Sequence, residues 1–279
     1  MRLVLLAVVL LACGPHGGGA RRPYPELTVK DVLDRLAKIR EARTSFTADS
    51  TMDYWLANQR AKGEVLVMGT PGAKVRFAAL SPAGGSTLAE MACDGASFVY
   101  VDHQNNCVLT GPCDQHSIAQ FFRLELAPDD FVYLALGTPP VLANATGTIK
   151  WDADKGYEHL DLTAPDGKQT LVIDAKDGKL DVVESQLSGS DGKVKWSVTN
   201  ADFIDVGGQR LPGKTRFKSP AEQEDLLVDW GEQRQINIPL DPSKFQLAAP
   251  AGLGTCGRQA PAAVAPPSKP PAAPLKNTP

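Results

Sequence analysis

The sequence predicts a mainly β protein of the α+β class, built on one large antiparallel up-and-down sheet. An N-terminal helix and a helical insert in mid-chain complete this prediction. Apolar and polar residues alternate over many short segments, Asp-Gly pairs separate several of these segments, and helical periodicity is confined to two places. Because Asp-Gly favours tight hairpin turns, the second half of the chain should be a meander of sequential strands.

The first thirteen residues predict where the protein resides. Arg2 precedes an apolar run that ends at Ala12, and this run is too short to be a stable membrane span. Residues 1–12 are therefore predicted to be a signal peptide, and the segment ending at Cys13 resembles a bacterial lipobox. That resemblance implies that Cys13 is lipidated and becomes the first residue of the mature protein. Gly14, where a retention signal would have Asp, favours the outer membrane, with the lipid-anchored protein facing the periplasm.

Residues 13–25 are rich in Gly and Pro, and we predict that they form a lipidated, flexible tether. The next segment has apolar residues at helical spacing, and Thr28 with Asp31 matches a capping box. These features predict an amphipathic helix over residues 28–42.

After this helix the period changes from that of a helix to that of a strand. The predicted strands cover residues 64–68, 74–78, 87–92, 97–101, 148–151, 159–163, 170–174, 180–187, 193–199, 214–218, 226–230 and 235–238. The alternation is lost over residues 117–126 and 128–137, which are predicted to form the helical insert. Residues 257–279 consist mainly of Ala and Pro, so we predict a disordered tail after a domain of residues 26–256.

Four cysteines remain in the predicted mature domain: Cys93, Cys107, Cys113 and Cys256. An even number in an oxidising compartment predicts two disulfides. Cys107 could pair with Cys113 and leave Cys93 for Cys256, and the other two pairings stay open. Cys107 and Cys113 also lie near His103 and His116, but this spacing matches no common zinc pattern, so no metal site is predicted.

Composition and motifs argue against several classes of function. The formal net charge of −3 and the lack of a basic block argue against nucleic acid as a partner. The chain has no nucleophile elbow, zinc-protease motif, phosphate-binding loop or dinucleotide fingerprint. The adjacent carboxylates Asp129 and Asp130 would rarely converge on one substrate, and His103, His116 and His159 suit structural or surface roles. We predict a protein that is not an enzyme and has no cofactor.

Four segments resemble the bacterial lipoprotein carriers LolA and LolB and their relatives. They are the helix of residues 27–43, the entry of residues 60–65 into the first predicted hairpin, the Asp94-Gly95 turn before residues 97–100, and residues 131–140, which end in Leu-Gly-Thr-Pro-Pro. The resemblance extends over residues 26–249. It implies a sheet curved into a half-barrel, with the helix and the insert covering its concave side.

In that architecture the concave side encloses an apolar cavity for acyl chains. The residues expected to line it are Val65, Val67, Val75, Phe77, Phe98, Tyr100, Leu160, Leu162, Val194 and Trp196. Leu80 or Leu88 would be the membrane-facing loop residue. The implied function is a non-catalytic carrier or acceptor of a lipid or of an acylated lipoprotein. The alternative is an adaptor lipoprotein with a filled core that binds other proteins of the envelope.

Overall fold

The computed structural model describes residues 20–56, 59–82, 85–116 and 126–256. The predicted signal peptide, Cys13, the first part of the insert and the tail lie outside these ranges. Helix α1 spans Val29–Glu41, and helix α2 spans Pro128–Ala135 within the second predicted helical stretch. The capping box is confirmed, because Thr28 accepts the backbone N–H of Asp31 while the Asp31 carboxylate accepts that of Thr28.

The remaining described elements are mainly strands. They are β1 Phe46–Leu56, β2 Gln59–Thr70, β3 Lys74–Leu80, β4 Thr87–Asp94, β5 Ser97–Asp102, β6 Cys107–Pro112, β7 Thr146–Asp152, β8 Tyr157–Ala164, β9 Gly167–Asp174, β10 Asp181–Gly189, β11 Val194–Ala201, β12 Ile204–Val206, β13 Gln209–Leu211, β14 Lys214–Ser219, β15 Glu224–Asp229, β16 Gln235–Ile236 and β17 Gly254–Thr255.

Fifteen of the described strands form one sheet. The order is β17-β6-β5-β4-β3-β2-β1-β15-β14-β11-β10-β9-β8-β7, and β16 also pairs with β1. Neighbours are antiparallel except β17, which runs parallel to β6. The predicted up-and-down sheet is therefore confirmed, and it remains open, with β17 and β7 at its two edges.

Strand β1 is the main strand that the sequence analysis missed, and it joins the two halves of the sheet. It pairs with β2 on one side and with β15 on the other. Its inward positions include small or polar residues such as Ala48 and Ser50, so its apolar alternation is weak. The pairing with β15 connects positions far apart in the chain, and no local pattern indicates it.

Both helices cover the same face of the sheet. Residues that lie directly opposite each other in antiparallel strands share a face of the sheet. Val198 of β11 lies opposite Ser185 of β10, Ser185 lies opposite Leu171 of β9, and Leu171 lies opposite Leu160 of β8, so these four residues are on one face. Under α1, Val32 and Leu36 pack with residues of β8, β9 and β10 in one apolar cluster. Residues of α2 belong to a second cluster, which extends over strands of both halves. The molecule is thus a curved half-barrel with helices on its concave face.

Among the described residues, no helix combines the length and apolar character that crossing a membrane requires.

Candidate functional site

The candidate site is the apolar concave face beneath α2. Val132 and Leu134 of α2 are almost completely buried against the sheet. On the sheet side, the cluster includes Phe46 of β1, Phe217 of β14 and Trp230, which follows β15. A short helix thus covers a surface to which strands from both halves contribute.

Polar contacts hold α2 at both ends. The Asp129 carboxylate accepts the backbone N–H groups of Gly72 and Ala73, at 2.8 and 3.1 Å, in the turn between β2 and β3. At the other end, Arg43 Nη1 donates to the Leu136 carbonyl at 2.5 Å. The contacts of α2 are therefore polar at its two ends and apolar on the side that faces the sheet.

Helix α2 also contacts α1. The guanidinium of Arg40 lies 3.4 Å from the centre of the Tyr133 ring, a cation–π contact. Asp130, beside Asp129, is partly buried, and this burial raises the pKa of its carboxyl, while the charge of Arg40 acts in the opposite direction. The Asp129 carboxylate thus binds the β2–β3 turn, whereas the charge of Arg40 acts on the Asp130 carboxyl.

A small apolar cleft lies between α2 and the neighbouring strands, with a volume of about 20 Å³. Its lining residues are Leu126, Phe131, Leu134, Thr215, Phe217, Leu226, Val228 and Trp230. This volume accommodates about one water-sized probe. In this conformation the side chains of α2 therefore occupy the space that an acyl chain would need.

Buried hydrogen bonds hold the floor of the cleft. Trp230 Nε1 donates to Thr215 Oγ1 at 2.9 Å, and that hydroxyl donates to Asn200 Oδ1 at 2.9 Å. Asn200 Nδ2 in turn donates to the Val182 carbonyl at 2.9 Å. Satisfied buried polar groups of this kind restrict side-chain orientation, so the Trp230 ring has a defined position beside the cleft.

The predicted lining residues divide between the two clusters. Val67, Val75, Phe98, Tyr100 and Trp196 belong to the cluster beneath α2, and Phe77 packs against it. By contrast, Leu160 and Leu162 belong to the cluster beneath α1. Val65 is buried and Val194 is half-buried, but neither belongs to a cluster. Contact of these ten residues with a ligand stays a prediction.

The residues of the cleft differ from those chosen from the sequence. Of the ten predicted residues, none lines the cleft, which instead uses α2, β14 and β15. The alternation in β14 and β15 could have indicated Phe217, Leu226 and Val228, but the pairing of β1 with β15 decides that they face α2. Leu80 and Leu88 are both half-buried at the ends of β3 and β4, and their contact with a membrane stays a prediction.

The structure pairs Cys93 with Cys113 and Cys107 with Cys256. This arrangement is incompatible with a bond between Cys107 and Cys113, because Cys107 begins β6 and Cys113 follows its last residue, Pro112. Six residues of extended strand span about 20 Å, much farther than a disulfide reaches. No strand was predicted over the residues of β6, so the separation of Cys107 from Cys113 could not be foreseen. Both thiols of the zinc alternative are used in these disulfides.

Residues 20–25, at the end of the predicted tether, lie against the edge of the sheet at β7. The Ala20 N–H donates to the Ala153 carbonyl at 2.7 Å, and Trp151 Nε1 donates to the Ala20 carbonyl at 2.9 Å. Arg22 Nε lies 2.8 Å from an oxygen of Glu158, whose side chain is completely buried. Burial, together with the charge of Glu158, raises the pKa of Tyr24 to about 12. This part of the segment is therefore held on the domain.

Comparison with solved structures defines the class of fold: an open, helix-covered half-barrel of the LolA/LolB type. The chain is similar to a DUF1329 family protein from Desulfovibrio piger, with a TM-score of 0.54 and 11% identity, over 77% of this chain and 95% of that chain. It is also similar to a LolA superfamily protein from Nitrosomonas europaea, with a TM-score of 0.51 and 12% identity, over 80% of this chain and 99% of that chain.

No family model matches the sequence, and neither does any curated protein. Because the sequence identities to these two proteins are only 11% and 12%, the similarity shows a shared fold. The resemblance predicted from the sequence is confirmed at that level.

Proposed function

We propose that this protein is a lipid-anchored, non-catalytic carrier or acceptor of the bacterial outer membrane, facing the periplasm. Its ligand would be a lipid or the acyl chain of a lipoprotein, bound on the concave face beneath α2. One observation carries this proposal: a short helix, held by polar contacts at its ends, covers an apolar face shared by both halves of an open sheet.

Binding would replace the apolar contacts between α2 and the sheet by apolar contacts between the acyl chain and the sheet. An acyl chain gains about 0.8 kcal/mol for each methylene that leaves water. Because the present cleft has a volume of only about 20 Å³, the chain would have to displace α2 from the strands. The energetic cost is the loss of the contacts of Val132 and Leu134, together with those made by Asp129. No step requires a titrating group.

Trp230 supplies a direct test, because its buried ring lines the cleft. Brominated acyl chains quench tryptophan fluorescence on contact, so a dibrominated stearate should quench the full chain carrying Cys13→Ala. The Trp230→Phe variant should reduce this quenching, and the remainder should come from Trp196, which stacks on the cleft residue Phe217. As the matched control, Trp151→Phe removes a tryptophan that lies beside the N-terminal segment, and it should leave the quenching unchanged.

The filled concave face favours the second candidate, an adaptor lipoprotein that binds other envelope proteins without lipid cargo. Native mass spectrometry of the full chain purified from membranes separates the two. A stoichiometric lipid adduct, beyond the predicted anchor, supports the carrier. No adduct, combined with equal quenching in wild type and Trp230→Phe, would refute the carrier and leave the adaptor.

A further inference from the structure

A second cleft lies beside α1, next to the apolar cluster beneath that helix, and its lining is strongly basic. It has a volume of about 330 Å³ and lies between α1, the turn before β10 and the β12–β13 hairpin. The residues that line it are Arg35, Lys38, Ile39, Arg43, Gly178, Lys179, Leu180, Asp181, Gln209 and Arg210. Five of these side chains are cationic and one is a carboxylate. The volume falls within the range of small-ligand sites, which begins at about 300 Å³.

Only two of these cations have a carboxylate partner in the described residues. Arg210 Nε lies 2.6 Å from Asp181 Oδ2, and Lys179 Nζ lies 3.2 Å from Asp174 Oδ2. Arg35 donates instead to the backbone carbonyls of Gly178 and Lys179. Over the described ranges, no carboxylate lies within ion-pair distance of Arg35, Lys38 or Arg43. The cleft therefore has an excess of positive charge.

Arg43 is a buried member of this group, only 5% exposed. Its Nη1 and Nη2 donate to the carbonyls of Leu136 and Arg210, whereas its Nε is buried without an acceptor. Burial lowers the pKa of Arg43 to about 10, although the negative charge of Asp181 acts to raise it. Asp181 is itself already paired with Arg210.

A second buried guanidinium adds to the positive charge near Arg43. Arg234 is 4% exposed, and its Nε and Nη2 have no acceptor, while its Nη1 donates to the Pro212 carbonyl at 2.7 Å. Burial, followed by the charge of Arg43, lowers the pKa of Arg234 to about 9. Among the described residues neither Arg43 nor Arg234 forms an ion pair, so an anion in the adjoining cleft would offset the cost of burying two neighbouring positive charges.

We infer that this cleft binds a phosphate group. Cations approach it from α1, from the segment after α1, from the turn before β10 and from β13, an arrangement that suits a multiply charged anion whose oxygens point in several directions. The inference goes beyond the proposed function, because it does not involve the apolar face. The phosphate could belong to a lipid headgroup or to a soluble phosphorylated compound, and the experiment distinguishes these sources.

The test is calorimetric titration of inorganic phosphate into the full chain carrying Cys13→Ala, at constant ionic strength. Removing two charges from the cleft with Arg35→Gln and Lys38→Gln should weaken binding by about tenfold or more. Lys168→Gln with Lys195→Gln removes the same charge from exposed positions outside the cleft and should leave the affinity unchanged. Lys38→Gln alone serves as a second cleft variant, because no hydrogen bond depends on its side chain in the described residues.

Absence of phosphate binding, or an equal loss in the cleft and control variants, would overturn the inference. Vesicles of phosphatidylcholine with and without phosphatidic acid identify the source. Binding that requires phosphatidic acid, and that the cleft substitutions weaken, supports a lipid headgroup. Phosphate binding without any vesicle binding supports a soluble phosphorylated ligand.

Discussion

At the residue scale, Gly137 connects α2 to the rest of the concave face. Its φ of +73° is in the left-handed region that favours glycine. A Cβ there would lie 2.6 Å from Pro212 Cδ and 3.2 Å from Arg43 Nη1. The backbone at the end of α2 therefore approaches both the β13–β14 connection and the arginine that holds Leu136.

Gly137→Ala should destabilise the protein for two reasons. The left-handed backbone costs about 1–2 kcal/mol, and the clash with Pro212 adds about 1–3 kcal/mol. The control is Gly192→Ala, where φ is +79° and no atom lies within 4 Å of the added Cβ, so that only the backbone cost applies. Urea unfolding measures both free energies. Equal losses in the two variants would show that the close approach to Pro212 has no energetic consequence.

At the element scale, the two edges of the open sheet make different contacts, with the segment of residues 20–25 near β7 and with β17 at β6. An unpaired edge strand exposes backbone groups that can pair with another chain. At β7, the N-terminal segment supplies a backbone hydrogen bond to Ala153, and Arg22 pairs with buried Glu158. At the other edge, β17 pairs with β6, and the disulfide between Cys107 and Cys256 holds it there. The N-terminal segment is thus attached beside one edge of the half-barrel, and a two-residue strand that is joined by a disulfide pairs at the other.

The two disulfides should contribute unequally to stability. Cys107 and Cys256 are separated by 149 residues, whereas Cys93 and Cys113 are separated by 20. By loop-closure entropy, the longer loop is worth about 5 kcal/mol and the shorter about 3 kcal/mol. Replacing each pair by alanines and measuring unfolding in guanidinium should therefore show the larger loss for the pair at β17. A larger loss for the Cys93 pair would show that its buried packing outweighs loop entropy.

At the scale of the whole molecule, the described chain begins at the β7 edge, so a lipid at Cys13 would tether the domain from that side. The contacts of Ala20 and Arg22 leave only the residues between Cys13 and position 20 to separate the domain from the membrane. Such a tether would have about half the number of residues of the whole segment 13–25.

Cys13→Ala should release the protein from membranes, because no other lipidation site is predicted. Fractionation of cells into soluble and membrane parts measures this, with Cys93→Ala/Cys113→Ala as a control that removes cysteines but keeps the predicted anchor. Retention of a cleaved Cys13→Ala protein in the membrane fraction would contradict the assignment of Cys13.

The elements that could be predicted from the amino-acid sequence are those that depend on neighbouring residues. The capping box of α1, the helical spacing of Val32 and Leu36, and the hairpins of the second half follow from local hydrogen bonding and from alternation along a strand. These interactions connect residues only a few positions apart, so the pattern was visible in the chain.

The contacts between distant segments became known only from the folded molecule. The pairing of β1 with β15, the pairing of Cys107 with Cys256 and the contact of Arg43 with the Arg210 carbonyl connect residues more than 140 positions apart. Each partner alone has an ordinary sequence context. The apolar cleft beneath α2 and the basic cleft beside α1 arise from these contacts, because their lining comes from several elements that meet only when the whole sheet has formed.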